Sequence, residues 1–150
     1  MQDQKYDQAS EYLANLFRAI PGHLAGIQLI GTVHFSTGQL EQAQNAYVKY
    51  LETFPGDVYT RKMLGATLLR KGQPQSAVTV LEPIMARAGR DAGLYALAGR
   101  AYWLSGQSAK ARQFLEKAVE LDPENAATRT SLGLTRYAAG DRSRAMSDFE

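Results

Sequence analysis

Acid–base, nucleophilic and metal chemistry need particular side chains at particular spacings, and the 150 residues of this chain offer few of them. Cysteine is absent, which removes thiolate metal sites, disulfides and a sulfur nucleophile. The 2 histidines are His23, in a turn, and His34. Neither has a carboxylate or a second histidine at ligand spacing on its helix, so each reads as a structural or solvated imidazole. No HExxH pair, no glycine-rich phosphate loop after a strand and no serine-centred elbow occurs. Asp and Glu are scattered over helix surfaces and caps, without an apolar pocket to raise a carboxyl pKa for proton transfer. The chain reads as a binding protein and not an enzyme, with no cofactor and no metal.

Charge and composition narrow the partners. Net charge is +2, from 17 basic and 15 acidic side chains. Residues 1–75 carry 7 basic and 6 acidic groups, and residues 76–150 carry 10 and 9. A pI near 8.9 with no basic block behind it is not a nucleic-acid footprint. The opening MQDQKYDQAS is polar and lacks the apolar stretch of a signal peptide. The longest apolar stretch, around 24–35, is interrupted by Gly26, Gln28, Gly31 and Thr32 and is too short to span a bilayer.

The elements that must position any site are legible as a repeat. Gly31, Gly65, Gly99 and Gly133 stand 34 residues apart. Gly38, Gly72, Gly106 and Gly140 keep the same step, as do Ala9, Ala43, Ala77, Ala111 and Ala145. Pro21, Pro55 and Pro123 form a fourth series, with Gly89 at the remaining place. Within each period two stretches of helical hydrophobic spacing flank a short turn, most clearly in DAGLYALAGRAYWLSGQSAKARQFLEKAVELDPEN. A fixed period of this size without insertion is the signature of a solenoid.

A 34-residue helix–turn–helix unit with small eighth and twentieth places and Pro at the thirty-second resembles the tetratricopeptide repeat, over the whole chain. The large seventh place is Ile30, Leu64 and Leu132, with Ala98 as an exception. The aromatic eleventh place is kept by Tyr102, whereas His34, Leu68 and Arg136 depart from it. The fourth places are Ile27, Arg61, Tyr95 and Arg129, and the two arginines loosen the packing expected there. The resemblance implies an all-α fold, a right-handed α-solenoid of about four repeats in a single domain over 1–150. An orphan helix over 3–20, with Tyr6, Ala9, Leu13, Leu16 and Phe17 on its apolar face, precedes repeats at 24–57, 58–91, 92–125 and a truncated 126–150. The chain reads as a fragment of a longer array.

Local chemistry adds detail. Ile20, Pro21 and Gly22 end the orphan helix. Asp57 and Asn125 are placed to cap the helices after them, and Pro74 suits a first helical position. Tyr47, Tyr50 and Leu51 are expected to face inward. Pro83 falls inside the second helix of its repeat, where it predicts a kink or early bend. That bend reads either as a tolerated irregularity or as a hinge.

In this family the first helices line a concave groove. Carried over place by place, the resemblance implies groove residues Phe35, Leu69, Trp103 and Tyr137 at twelfth places. It adds Gln28 and Lys62 at fifth places, Thr32 and Arg100 at ninth, Tyr59 at a second and Arg70 at a thirteenth. Aromatics beside Arg and Lys suit peptides and can also stack on sugars. The twelfth-place residues have a second reading as packing against the neighbouring repeat. Arg100 and Trp103 are the foremost ligand contacts. The family's clamp for a C-terminal carboxylate needs Lys and Asn at fifth and ninth places of one repeat. Here those pairs are Gln28 with Thr32, Lys62 with Ala66 and Ala96 with Arg100, so that clamp is not assembled.

The repeat phrases are also similar to bacterial repeat lipoproteins of exopolysaccharide export and exosortase-type sorting. That likeness implies a periplasmic or envelope location. The expected function is a non-enzymatic scaffold holding a peptide or protein partner in the groove, with no nucleic acid and no membrane contact by this stretch. A carbohydrate-handling element using Tyr59, Trp103 and Tyr137 is the alternative. Apolar faces at the two ends imply a possible homodimer.

Overall fold

The computed structural model describes residues 8, 9, 11–13, 15, 16, 20 and 23–149, with no strand among them. The expected first helix falls partly outside them: Tyr6, Phe17, Pro21 and Gly22 are not described. Of its described residues, 8, 9, 11–13, 15 and 16 are helical, and Leu13 is buried. The chain divides into two compact units, residues 1–72 and 73–150.

The first unit holds α1 (Leu24–Ser36), α2 (Leu40–Thr53) and α3 (Val58–Arg70), with α2 packed on both neighbours. The second holds α4 (Pro74–Leu81), a 3-10 turn at Glu82–Arg87, α5 (Ala92–Leu104), α6 (Ser108–Leu121), α7 (Ala126–Ala138) and α8 (Arg142–Phe149). There α5 packs on α4 and α6, α6 on α7, and α7 on α8.

The first helices of the repeats start on a side-chain cap. Asp57 Oδ1 accepts from the Thr60 amide at 2.7 Å, Asp91 Oδ1 from Leu94 at 2.8 Å and Asn125 Oδ1 from Thr128 at 3.1 Å. At α1 the cap is His23, whose Nδ1 accepts from the Gly26 amide at 3.0 Å. The same four helices end before Gly38, Gly72, Gly106 and Gly140, with φ of 79°, 72°, 81° and 85°. A left-handed residue there turns the chain back at little steric cost only if it lacks Cβ.

Pro83 acts as its chemistry requires. It has no amide to donate and its ring collides with the preceding turn. α4 therefore stops after 8 residues, where α2 and α6 run for 14, and the chain continues as a 6-residue 3-10 turn. Gly89, at the proline place, closes this stretch with φ 53°.

Small residues make the helix pairs fit. Ala43, Ala77, Ala111 and Ala145 are all 0% exposed. Tyr47 is buried as expected, while Tyr50 and Leu51 are only half-buried, with Tyr50 against Phe54 at 5.2 Å between ring centroids. The eleventh-place departures are also absorbed. Leu68 is buried, and Arg136 sits between two carboxylates, Asp148 at 2.7 Å and Glu116 at 3.0 Å.

Candidate functional site

In the first unit most of the expected groove residues are engaged with one another. The Gln28 amide donates to Thr60 Oγ1 at 2.7 Å and to Asp57 Oδ1 at 3.3 Å, tying α1 to the start of α3. Thr32 Oγ1 donates to the Gln28 carbonyl and accepts from the buried Tyr47 hydroxyl at 3.3 Å. The Tyr59 hydroxyl lies 3.3 Å from the same Thr32 oxygen. Burial, opposed by the Thr32 hydrogen bond, pushes the Tyr47 phenol up to about 12.

Phe35 and Arg70 also meet. The guanidinium carbon stands 4.7 Å from the ring centroid, and Nη1 donates to the Phe35 carbonyl at 2.7 Å. Leu69 is 8% exposed and belongs to the core, so it offers a partner almost nothing. Its packing reading prevails because its side chain has apolar neighbours to join. Lys62 is half-buried, and Tyr59 keeps 48% of its surface exposed.

In the second unit the arrangement is open. Arg100 projects from α5 into a shallow cleft of about 270 Å³ between α5 and α7. Gly93 and Ala96 on α5 and Ala127 and Ser131 on α7 line it beside the larger Leu97 and Leu115, so part of its wall is small side chains that admit a close backbone. Asn125 contributes to the rim, though its oxygen is spent on the Thr128 amide. Among the described residues Arg100 is exposed and has neither a carboxylate nor a carbonyl partner. A guanidinium on a wall of small residues can receive a carboxylate or peptide carbonyl through paired N–H donors.

Trp103 stands one turn further along α5, half-buried and outside this cleft. Tyr137 is 56% exposed and carries Arg142 over its ring at 5.8 Å. The structure therefore brings Arg100 together with residues that periodicity alone did not single out, Ser131 and Ala127. They lie at the sixth and second places of the next repeat; the second is the place that Tyr59 holds, whereas Ser131 could have been found only by asking which side chains face Arg100 across the groove.

The imidazoles hold structural positions: His23 is a helix cap and His34 is half-buried in α1, its Nδ1 without a partner. Among the described residues no three His, Asp or Glu side chains gather to hold a metal, and no helix is long and apolar enough to cross a membrane.

Comparison with known proteins places the chain among similar folds. The family model described as Tetratricopeptide repeat matches residues 35–101 and again 68–127. Two solved structures share 28% identity: "MamA 41-end from Desulfovibrio magneticus RS-1", with TM-score 0.91 over 99% of this chain and 84% of that one, and "MamA RS-1 ArsTM double mutant", with 0.89 over 96% and 81%. YrrB, described as "a TPR protein with an unusual peptide-binding site", superposes with TM-score 0.84 over 98% of this chain and 76% of that one at 18% identity, a likeness of fold alone. No curated protein matches the chain.

Proposed function

The chain belongs to the tetratricopeptide repeat family, an all-α solenoid fold, and on that premise we propose that it is a non-enzymatic scaffold that holds an extended peptide of a partner protein against α5 and α7. The observation that carries this reading is Arg100, an exposed guanidinium without a partner among the described residues, on a cleft whose lining includes the small residues Gly93, Ala96, Ala127 and Ser131. Small walls let a peptide backbone approach, and the guanidinium selects an acidic side chain or a carbonyl. That YrrB, a protein of the same fold, is described as having a peptide-binding site adds support. In the first unit the exposed ring of Tyr59 is the groove surface left for a partner.

Peptide display against the purified protein, repeated with Arg100→Ala, tests this. Loss of a charged hydrogen-bonded contact should weaken the selected peptides about tenfold or more. Selected peptides that bind both proteins equally would place recognition elsewhere.

The carbohydrate alternative draws support from two open rings, Tyr59 and Tyr137, but only partly from half-buried Trp103. A place in the cell envelope beside exopolysaccharide export rests on the likeness of the repeat phrases. Pairing of two copies would use Leu134 and Met146, 50% and 61% exposed at the α7–α8 face.

A further inference from the structure

A larger hollow, about 480 Å³, opens in the second unit where the 3-10 turn at Glu82–Arg87 passes α5 and α6. It exists beside the one second helix that Pro83 ends early. Its floor is Met85, Tyr95 and Phe114, with the two rings 6.2 Å apart and tilted by 31°. Its rim carries Glu116, Lys117 and Glu120. Tyr95 and Arg100 lie roughly 140° apart around α5, five residues at 3.6 per turn, so this hollow is not the groove described above.

We propose that this hollow binds an arginine side chain presented by a partner peptide. Aromatic faces attract a cation, and an arginine stem lies on apolar surface while its planar head reaches carboxylates. The chain makes such contacts itself at three other rings: Arg70 over Phe35, Lys110 over Tyr102 and Arg142 over Tyr137, at 4.7, 5.0 and 5.8 Å. At Tyr95 and Phe114 no cationic group of the described residues lies over either ring.

The rim supplies the opposite charge. Among the described residues Glu120 is held by Lys117 alone, at 2.9 Å to each oxygen, in a pair whose side chains are 67% and 41% exposed. Exposed pairs of this kind are weak and exchange readily. Glu116 Oε1 accepts from Arg136 Nη2 at 3.0 Å, which holds the carboxylate in place with Oε2 remaining. The lining sums to two carboxylates against one ammonium, so an uncharged apolar anchor would leave this rim unused. Arginine suits it better than lysine because one fork can meet a carboxylate while its plane stacks on a ring.

The test is a titration of the isotope-labelled protein with N-acetyl-arginine amide, followed by amide NMR, beside N-acetyl-norleucine amide as an uncharged probe that offers an apolar stem alone. Saturable shifts are expected at Phe114, Glu116 and Glu120 with the arginine compound and not with the norleucine compound. Glu120→Gln should weaken binding about two- to fivefold, the range of an exposed ion pair. Tyr95→Leu, which keeps the apolar floor, should weaken it further. Arg100→Ala should leave it unchanged, which separates this site from the groove. Equal shifts from both compounds would show an apolar anchor site. Shifts indifferent to Glu120→Gln and Tyr95→Leu, or no shift at these amides up to the solubility of the probe, would overturn the proposal.

Discussion

Arg136 on α7 donates from Nη2 to Glu116 Oε1 on α6 at 3.0 Å. One period earlier Tyr102 donates to Glu82 Oε1 at 3.2 Å, so the same two repeat positions are joined by a different chemistry. The eleventh place thus keeps its contact with the preceding second helix although its side chain has changed from phenol to guanidinium. Arg136 adds a second contact to Asp148 on α8, with Nη1 donating to both carboxylate oxygens at 2.7 and 2.9 Å. Burial works against the guanidinium charge, but Glu116 and Asp148 outweigh it and hold its pKa above the ordinary value.

Breaking this cluster from one side should be expensive. Asp148 is only 12% exposed in its side chain, so Arg136→Met leaves a largely buried carboxylate unpaired. We expect a loss of about 2–4 kcal/mol in urea unfolding, and a smaller loss in Arg136→Met/Asp148→Leu, where the stranded charge is gone too. A double variant as unstable as the sum of its singles would show that the charges act independently.

The glycines of the eighth place are tested by single methyl groups. A Cβ on Gly31 would lie 2.7 Å from Tyr47 Cε1, and one on Gly99 would lie 2.7 Å from Leu115 Cγ and 3.2 Å from the Ala111 carbonyl oxygen. Gly31→Ala should lose about 1–3 kcal/mol through overpacking, more than the ~1 kcal/mol that alanine contributes to an exposed helix. Gly99→Leu should lose at least as much. Denaturation midpoints that rise in both variants would mean the helices do not need this close approach.

Tyr47 predicts a pH dependence. Its phenol is raised by burial from 10.0 to about 12 in the folded protein. Its contribution to stability is complete below the unfolded pKa and is lost as pH rises through the folded one, because the unfolded chain releases the proton first. Over pH 10 to 12 the loss from this group should approach roughly 2–3 kcal/mol. Unfolding midpoints measured from pH 8 to 11.5 should fall less steeply in Tyr47→Phe than in the parent. Identical slopes would remove Tyr47 as the cause.

Much of this is legible in the amino-acid sequence alone. The glycine series of Gly38, Gly106 and Gly140 was legible as the turn between paired helices, and its left-handed backbone is one that no other residue takes cheaply. Asp57 and Asn125 could be assigned as caps because their short side chains reach back to the third amide. Pro83 announced its own break, though not that six residues would wind as a 3-10 turn. His23 as a cap was not legible, since an imidazole nitrogen seldom serves in that role and the sequence around it says only that the chain turns.

The groove residues were legible as places in a repeat but not as a site. Leu69 and Trp103 occupy the same place as Phe35 and Tyr137, yet one is core, one is half-buried, and Tyr137 is open. Periodicity records the direction of a side chain from its helix axis and nothing of what stands in front of it. What the amino-acid sequence by itself determined was the helix pairs, their turns and the small residues between them, because each depends on neighbours within one period. What only the tertiary structure decided was which polar side chains are already satisfied. Gln28, Thr32 and Arg70 found partners 32, 27 and 35 residues away, whereas Arg100 found none among the described residues, and that difference is set by packing between repeats.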